Sequence, residues 1–252
     1  MYSLHPVTTD DVTAFLSECT TNASERRAVQ RGAVGLQWLE RGDSRAPDLV
    51  SHALATFLAE QRPSFVLFEI SLTNWEAQID RGVGMLLRPP ARLLIDAGME
   101  RALAQRFPIR LDHTKGMMGG AFVPPHLIGQ LERLLEDRLE RHLRRLVEAN
   151  LDAVANMGLM LQALAYAREQ GTGLLEAIDV VDDLDPSMRV VVADRKRLPR
   201  ELRSRLEAAA KPPRRPGLLA RMLGAKDPIA DEQARIRAFS SGHQASDDAP
   251  VS

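Results

Sequence analysis

A leucine-rich segment that begins at Pro125 constrains the fold of this 252-residue chain more than any other feature. Its apolar residues recur at helical spacing, while charged residues occupy the opposite face. The apolar stripe consists of Ile128, Leu131, Leu134, Leu135, Leu139, Leu143, Leu146 and Val147. Pro124 and Pro125 fit the opening of a helix, where a backbone N–H has no partner to lose. The segment therefore predicts a long amphipathic helix.

The apolar residues from 153 to 167 extend this helix with almost no polar face, which predicts a central core helix. Unbroken, the two segments would span about 40 residues, or roughly 60 Å. That length is large for a small globule. We therefore expect either a break near Asn150 or Gly158, or a protruding helix that pairs with another subunit as a coiled coil.

The first 61 residues predict a layer of three helices joined by short turns. Thr9, followed by Asp10 and Asp11, places a capping oxygen and acidic charge at the start of the first helix. Ser24 fits the cap of the second helix. Pro47 fits the first turn of the third.

Three short apolar segments are compatible with β-strands, namely residues 65 to 72, 107 to 111 and 188 to 194. Periodicity does not distinguish a buried strand from the start of a helix in the first of them. The expected fold class is mainly α. It is a multi-helix bundle with one long central helix, with or without a small sheet of two or three short strands.

Composition divides the chain into three parts. We expect an N-terminal helical layer over residues 1 to 61, a main helical domain over 62 to 210, and a flexible basic linker and tail over 211 to 252. Residues 217 to 226 form a short amphipathic basic segment in that tail. Such a segment fits weak contact with a membrane surface or docking in a groove of a partner protein.

Charge and cysteine content indicate the compartment and exclude some partners. The formal net charge is -1, so no global field attracts nucleic acid or acidic membranes. Residues 189 to 221 are basic but contain no aromatic side chain, so they offer no stacking to a nucleic acid. We expect no transmembrane segment and no secretory signal. Cys19 is the only cysteine, and the chain prefers Arg to Lys, which together fit a cytoplasmic bacterial protein.

Residues 111 to 127, LDHTKGMMGGAFVPPHL, concentrate glycines and titratable side chains. Glycine amides can cradle an anion, a lysine adds positive charge, and histidines beside an aspartate can move protons or contact a ligand. The candidate ligand-binding residues in this stretch are Asp112, His113, Lys115, Gly116, Gly119, Gly120 and His126. A glycine-rich turn between helices explains the same composition without a ligand, and we prefer that interpretation.

Two arginines, Arg88 and Arg92, are candidates for completing the same anion site if residues 80 to 98 fold against residues 112 to 126. As solvated residues near the start of a helix they need no function. The six histidines form no HExxH or ExxH pattern, so we expect no metal site. No GxSxG motif occurs, and the sequence leaves any cofactor unknown.

Two functions stay open. The preferred hypothesis is protein–protein interaction, by an oligomeric scaffold, adaptor or regulator that binds another protein or a second copy of itself. The alternative is an enzyme or ligand-binding protein that holds an anionic small molecule between residues 81 to 96 and 112 to 126. The sequence does not decide whether the protein is an enzyme.

Overall fold

The computed structural model describes residues 2 to 21, 25 to 67, 70 to 107, 120 to 181 and 188 to 210. The described residues belong to a single compact unit that ends at Ala210. Its centre is a mixed sheet of five strands with helices on both faces. The predicted linker and tail, residues 211 to 252, lie outside the described residues.

The strands are short and come from distant parts of the chain. They are β1 (Tyr2–Val7), β2 (Ser64–Leu67), β3 (Phe122–Val123), β4 (Gly173–Ile178) and β5 (Val190–Val192). The order across the sheet is β3-β4-β1-β2-β5. β1 runs antiparallel to both β2 and β4, β3 runs antiparallel to β4, and β5 runs parallel to β2. The sheet is therefore larger than the two or three strands expected.

Helices account for most of the remaining described residues. They are α1 (Thr9–Thr21), α2 (Arg27–Glu40), α3 (Ala46–Ala59), α4 (Leu72–Asn74), α5 (Pro90–Asp96), α6 (Arg101–Ala104), α7 (Pro125–Asp137), α8 (Leu139–Glu148), α9 (Ala153–Gln170) and α10 (Arg200–Ala209). A π-helical turn (Trp75–Ile79) and a 3-10 turn (Val83–Leu86) connect α4 to α5. The fold is thus helix-rich with a substantial sheet.

Alternating residues of the strands divide the core into two layers. Leu4 and Leu174 pack in the cluster that contains residues of α7, α8 and α9. Val7 and Leu175 pack in the cluster that contains residues of α1, α2, α3 and α5. Because successive strand residues point to opposite faces, this division places the sheet between two helical layers.

The three N-terminal helices are confirmed, but the cap of α1 was assigned one residue too late. Thr8 Oγ1 accepts a hydrogen bond from the Asp11 N–H at 3.1 Å, and the Asp11 carboxylate accepts one from the Thr8 N–H at 2.7 Å. This reciprocal pair is a capping box. Pro47 lies in the first turn of α3, as predicted. Ser24 lies outside the described residues.

The single long central helix is wrong for the described residues. α7 ends at Asp137, α8 starts at Leu139, and α9 starts only at Ala153. The expected break near Asn150 is present, and Asn150 adopts a left-handed φ of 61°. The break at residue 138 was not anticipated. Gly158 lies inside α9, where the side chain of Leu198 packs against it.

The leucine stripe packs inside its own protomer. Leu131, Leu135, Leu143 and Leu146 are all buried in the cluster that also holds residues of α9. Val147, at the end of the stripe, is 58% exposed, but the buried leucines give no support to a coiled coil. The predicted core helix is confirmed, because most of α9 is buried; it is capped by the Asp152 side chain and ends at Gly171.

Two of the three predicted strand segments contain strands. β2 covers the start of residues 65 to 72, but Leu72 already belongs to α4, and β5 lies within residues 188 to 194. Of the third segment, residues 108 to 111 lie outside the described residues. The strands β1, β3 and β4 were missed.

Candidate functional site

The structure places only part of the glycine-rich candidate site. Asp112, His113, Lys115, Gly116 and Gly119 lie outside the described residues. Gly120 and His126 are described, and their surroundings differ. Gly120 is buried, and a Cβ there would overlap the main-chain carbonyl of Glu176. His126 is exposed in the first turn of α7. Close packing thus accounts for the glycine at position 120.

Arg88 joins residues 80 to 98 to the segment that follows the glycines. Its N–H donates to the Phe122 carbonyl at 2.8 Å, and its carbonyl accepts from the Phe122 N–H at 2.9 Å. The Arg88 guanidinium donates to the carbonyls of Met85 and Leu87. Arg92 pairs with Asp96 at 3.0 Å. Both guanidinium groups therefore already have partners within the chain.

Glu176 is a buried carboxylate in the middle of the sheet. Its Oε1 accepts a hydrogen bond from the Leu72 N–H, and its Oε2 accepts one from the Ala121 N–H at 3.2 Å. Burial raises the pKa of Glu176 to about 7, although hydrogen bonds from Ala121, Leu72 and Thr73 oppose that rise. The carboxylate thereby ties the start of α4 and the approach to β3 to strand β4.

His5 forms a second buried polar cluster, on β1. Its Nε2 lies 2.7 Å from Ser3 Oγ and its Nδ1 lies 3.0 Å from Ser64 Oγ. Burial lowers the pKa of His5 to about 3, and the charge of His52 adds to that effect. The imidazole is therefore neutral at pH 7. Because all three side chains are buried, this cluster links β1 to β2 rather than facing solvent.

Asp80 forms a third cluster with Arg138 and His142. Arg138 donates to both carboxylate oxygens at 3.0 and 2.8 Å, and His142 Nε2 lies 2.9 Å from Oδ2. Burial acts to raise the pKa of Asp80, but the hydrogen bonds from His142 and Arg138 outweigh it and hold that pKa well below its usual range. These hydrogen bonds connect the turn after Ile79 to the junction between α7 and α8.

Of these three clusters, the one around Glu176 borders a small cavity formed by described residues. The cavity that reaches Glu176 measures about 10 Å³ and is otherwise lined mainly by apolar residues such as Leu54, Leu93 and Phe107. That volume is about the minimum for one water molecule. Within the described part of the chain, the hydrogen bonds of the three clusters join separate segments of the fold.

The surface offers a different kind of site, a groove between α2 and α3. Arg27, Gln30, Arg31, Val34 and Leu49 line it, and its volume is about 250 Å³. Val34 is 41% exposed, which is high for a large apolar side chain in this fold. Neither Arg27 nor Arg31 makes an ion pair with a described residue. We call this feature the α2–α3 groove.

Arg27 lies in the first turn of α2, the electrostatically unfavourable end for a cation, and Arg31 follows one turn later. The first turn of α2 contains no acidic residue and no side-chain cap, whereas α1 begins with Asp10 and Asp11. The N-terminus of a helix carries partial positive charge, so cations there are mildly destabilising. The described residues place no acidic partner on Arg27, and a local conflict of this kind is typical of a functional surface.

Gly35 allows the two helices that form the groove to pack closely. A Cβ at Gly35 would lie 2.7 Å from Val50 Cγ2 and 3.2 Å from the Val50 nitrogen. Only glycine therefore allows α2 to approach α3 this closely. At the far end, the Arg45 guanidinium lies over the Trp38 ring, 5.0 Å from its centroid.

Sequence reasoning missed the residues that the structure makes prominent, which are Arg27, Arg31, Asp80 and Glu176. A signal for the arginines was present, because basic residues follow Glu25 where acidic residues are expected at the start of a helix. Asp80 and Glu176 gave no comparable signal. Their partners lie far away in the sequence.

Metal and membrane sites are not evident in the described residues. No group of three or more His, Cys, Asp or Glu side chains there is arranged to hold a metal ion. None of the helices described is both long and apolar enough to cross a membrane. No protein-family model matches the chain, and neither a curated protein nor a solved structure matches it.

Proposed function

We propose that this protein works by binding another protein, as an adaptor or scaffold in the cytoplasm, and that the α2–α3 groove is its docking surface. The observation that carries the proposal is the position of two guanidinium groups, on Arg27 and Arg31, beside the exposed Val34, with no ion-pair partner for either among the described residues. Arginine beside apolar surface is typical of the residues that dominate protein interfaces.

The size and openness of the groove favour a protein partner over a metabolite. Small-molecule sites usually enclose their ligand in about 300 to 1,000 Å³. The groove is smaller than that, and Arg27, Gln30 and Arg31 are exposed to solvent. A surface of this shape suits a few side chains presented by a partner.

Site-specific photo-crosslinking tests the proposal with a matched pair of positions. Val34 and Val147 are both exposed valines on helices, but only Val34 lines the groove. A photoreactive residue at position 34 of the full chain, expressed in its own cells, should crosslink to a polypeptide. The same residue at position 147 should not. Equal yields at both positions, or none at position 34, would refute the docking surface.

The identity of the crosslinked species separates the remaining classes of partner. A product at twice the mass of the chain identifies a second copy, and a nuclease-sensitive product identifies a nucleic acid. The nuclease-sensitive product would contradict a protein partner. Arg27→Glu with Arg31→Glu should abolish the polypeptide crosslink if those residues bind the partner.

A second candidate function, binding of an anionic small molecule, has one observation in its favour. The main-chain pairing of Arg88 with Phe122 joins the two stretches that were proposed to form the site. A panel of phosphorylated and carboxylate metabolites should then raise the melting temperature of the wild type but not of Lys115→Ala. The absence of any such ligand would count against this candidate.

A further inference from the structure

We infer that the occupant of the α2–α3 groove is an amphipathic helix of the partner protein, with two acidic residues four positions apart and an apolar residue on the same face. This inference rests on the proposed protein-binding function. It adds the chemistry and the geometry of the segment that binds.

The spacing of the arginines sets the spacing of the acids. Arg27 and Arg31 are four residues apart on α2, which corresponds to about 6 Å along the helix axis. Two carboxylates at positions i and i+4 of a second helix have the same separation. Each guanidinium can then bind one carboxylate through two parallel N–H donors.

The apolar part of the groove determines where the apolar residue of the partner helix must lie. Val34 follows Arg31 by three residues on α2, and Leu49 of α3 lines the same groove. On the partner helix, an apolar residue three positions beyond the second acid reaches this part of the groove. A helix laid in a groove is commonly anchored at i, i+4 and i+7.

The groove also runs between two consecutive helices that pack closely through Gly35. The five residues 41 to 45 connect them, so α2 and α3 form a helical hairpin. A third helix lying along such a hairpin buries its own apolar stripe. This geometry favours a helix over an extended peptide.

Other kinds of ligand complement only part of the groove. A small anion neutralises the arginines but leaves Val34 and Leu49 uncovered. A single-stranded nucleic acid needs an open aromatic ring for stacking, and the nearby Trp38 ring is half-buried beneath Arg45. An acidic amphipathic helix complements both the charge and the apolar surface.

A designed peptide provides the probe. It carries the pattern Glu-x-x-x-Glu-x-x-Leu in a helical background of Ala and Gln, with a fluorescein label and blocked ends. Fluorescence anisotropy against the full chain measures its affinity. A peptide with Lys in place of both Glu residues, and another with Ala in place of Leu, provide the comparison.

The full chain is compared with two double variants. Arg27→Glu with Arg31→Glu should weaken binding of the acidic peptide at least about tenfold, because charge reversal converts two attractions into repulsions. Arg141→Glu with Arg145→Glu reverses two exposed arginines at the same spacing on α8 and should leave binding unchanged. Val34→Asn should weaken binding by removing apolar surface, and it adds no charge that could pair with Arg31 three residues earlier.

We expect the variant Arg27→Glu with Arg31→Glu to fold, so a loss of peptide binding would not reflect unfolding. Arg27→Glu places an anion at the positive end of the α2 dipole, so the variant should be at least as stable as the wild type. Circular dichroism of each variant verifies this point.

Three results would overturn the inference. These are no binding of the acidic peptide, equal loss of binding in the α8 variant, and tighter competition by a thymidine oligonucleotide than by unlabelled peptide. If the crosslink at position 34 persists while the peptide fails to bind, the helical acidic partner is wrong and the protein-binding function stands. If both fail, both proposals are wrong.

Discussion

His142 Nε2 lies 2.9 Å from Oδ2 of Asp80, and both side chains are buried. Arg138, which is more exposed than His142, forms an ion pair with the same carboxylate. Since Asp80 follows the π-helical turn and the other two residues border the break between α7 and α8, this one carboxylate joins two distant segments of the chain.

Asp80→Asn should lower the free energy of unfolding by about 2 to 4 kcal/mol, because it removes a buried charge and leaves hydrogen-bonding groups without full partners. Urea denaturation measures the change. Asp96→Asn, which breaks the exposed pair with Arg92, is the control and should cost less than about 1 kcal/mol. Equal effects of the two substitutions would show that the buried cluster contributes nothing special.

His5 should make the protein sensitive to acid. Its pKa is lowered to about 3 in the folded state, so the unfolded chain binds a proton first as the pH falls. The contribution of His5 to the free energy of unfolding is therefore fully present above about pH 6.5. Below that pH it declines by about 1.4 kcal/mol per pH unit. His5→Gln should remove that slope in urea titrations between pH 6.5 and 4. An unchanged slope in the variant would contradict the burial of a neutral imidazole.

Glu176 should act in the opposite direction. Its folded pKa is raised to about 7 from 4.5, so the folded protein holds this proton more tightly than the unfolded chain. The contribution to stability is present below about pH 4.5 and is lost as the pH rises towards 7. The cost of Glu176→Gln, measured by urea denaturation, should therefore decrease between pH 4.5 and 7. A cost that grows with pH would show that the carboxylate is ionised throughout.

Gly35→Ala should destabilise the α2–α3 hairpin by about 1 to 3 kcal/mol, because the new methyl group would overlap Val50. Gly129→Ala is a matched control inside α7, where a Cβ meets no atom within 4 Å. That control should instead stabilise the protein by about 0.5 to 1 kcal/mol. Thermal denaturation distinguishes the two. A harmless Gly35→Ala would mean that the walls of the groove can separate.

Local sequence signals predicted some of the helices, because the caps and apolar periodicity of those helices lie within or beside the helices themselves. α1, α3 and the core helix α9 follow from such signals. The break at Arg138 could not be predicted in this way. Its partner, Asp80, lies 58 positions away in the sequence.

The strands β1 and β4 could not be predicted for a related reason. β1 contains His5 and Pro6, and β4 contains Glu176, so polar or helix-ambiguous residues obscure their alternation. The polar side chains of His5 and Glu176 are satisfied by hydrogen bonds to distant segments. Sequence patterns register the residue type but not these partners.

The candidate sites show the same limit. The glycines and Lys115 stand out because their composition is unusual in this sequence. Arg27 and Arg31 look ordinary in a chain rich in arginine, and only the packing of α2 against α3 places them beside Val34 and Leu49. A groove is a tertiary feature, so its lining cannot be read from one helix alone.

We propose that Arg27 and Arg31 serve binding, and that Arg27 does so at the expense of helix stability. The most direct measurement compares wild type with Arg27→Glu plus Arg31→Glu, recording both the melting temperature and the affinity for the polypeptide captured at position 34. We expect an unchanged or raised melting temperature and a loss of affinity of at least about tenfold. Unchanged affinity in a folded variant would contradict it.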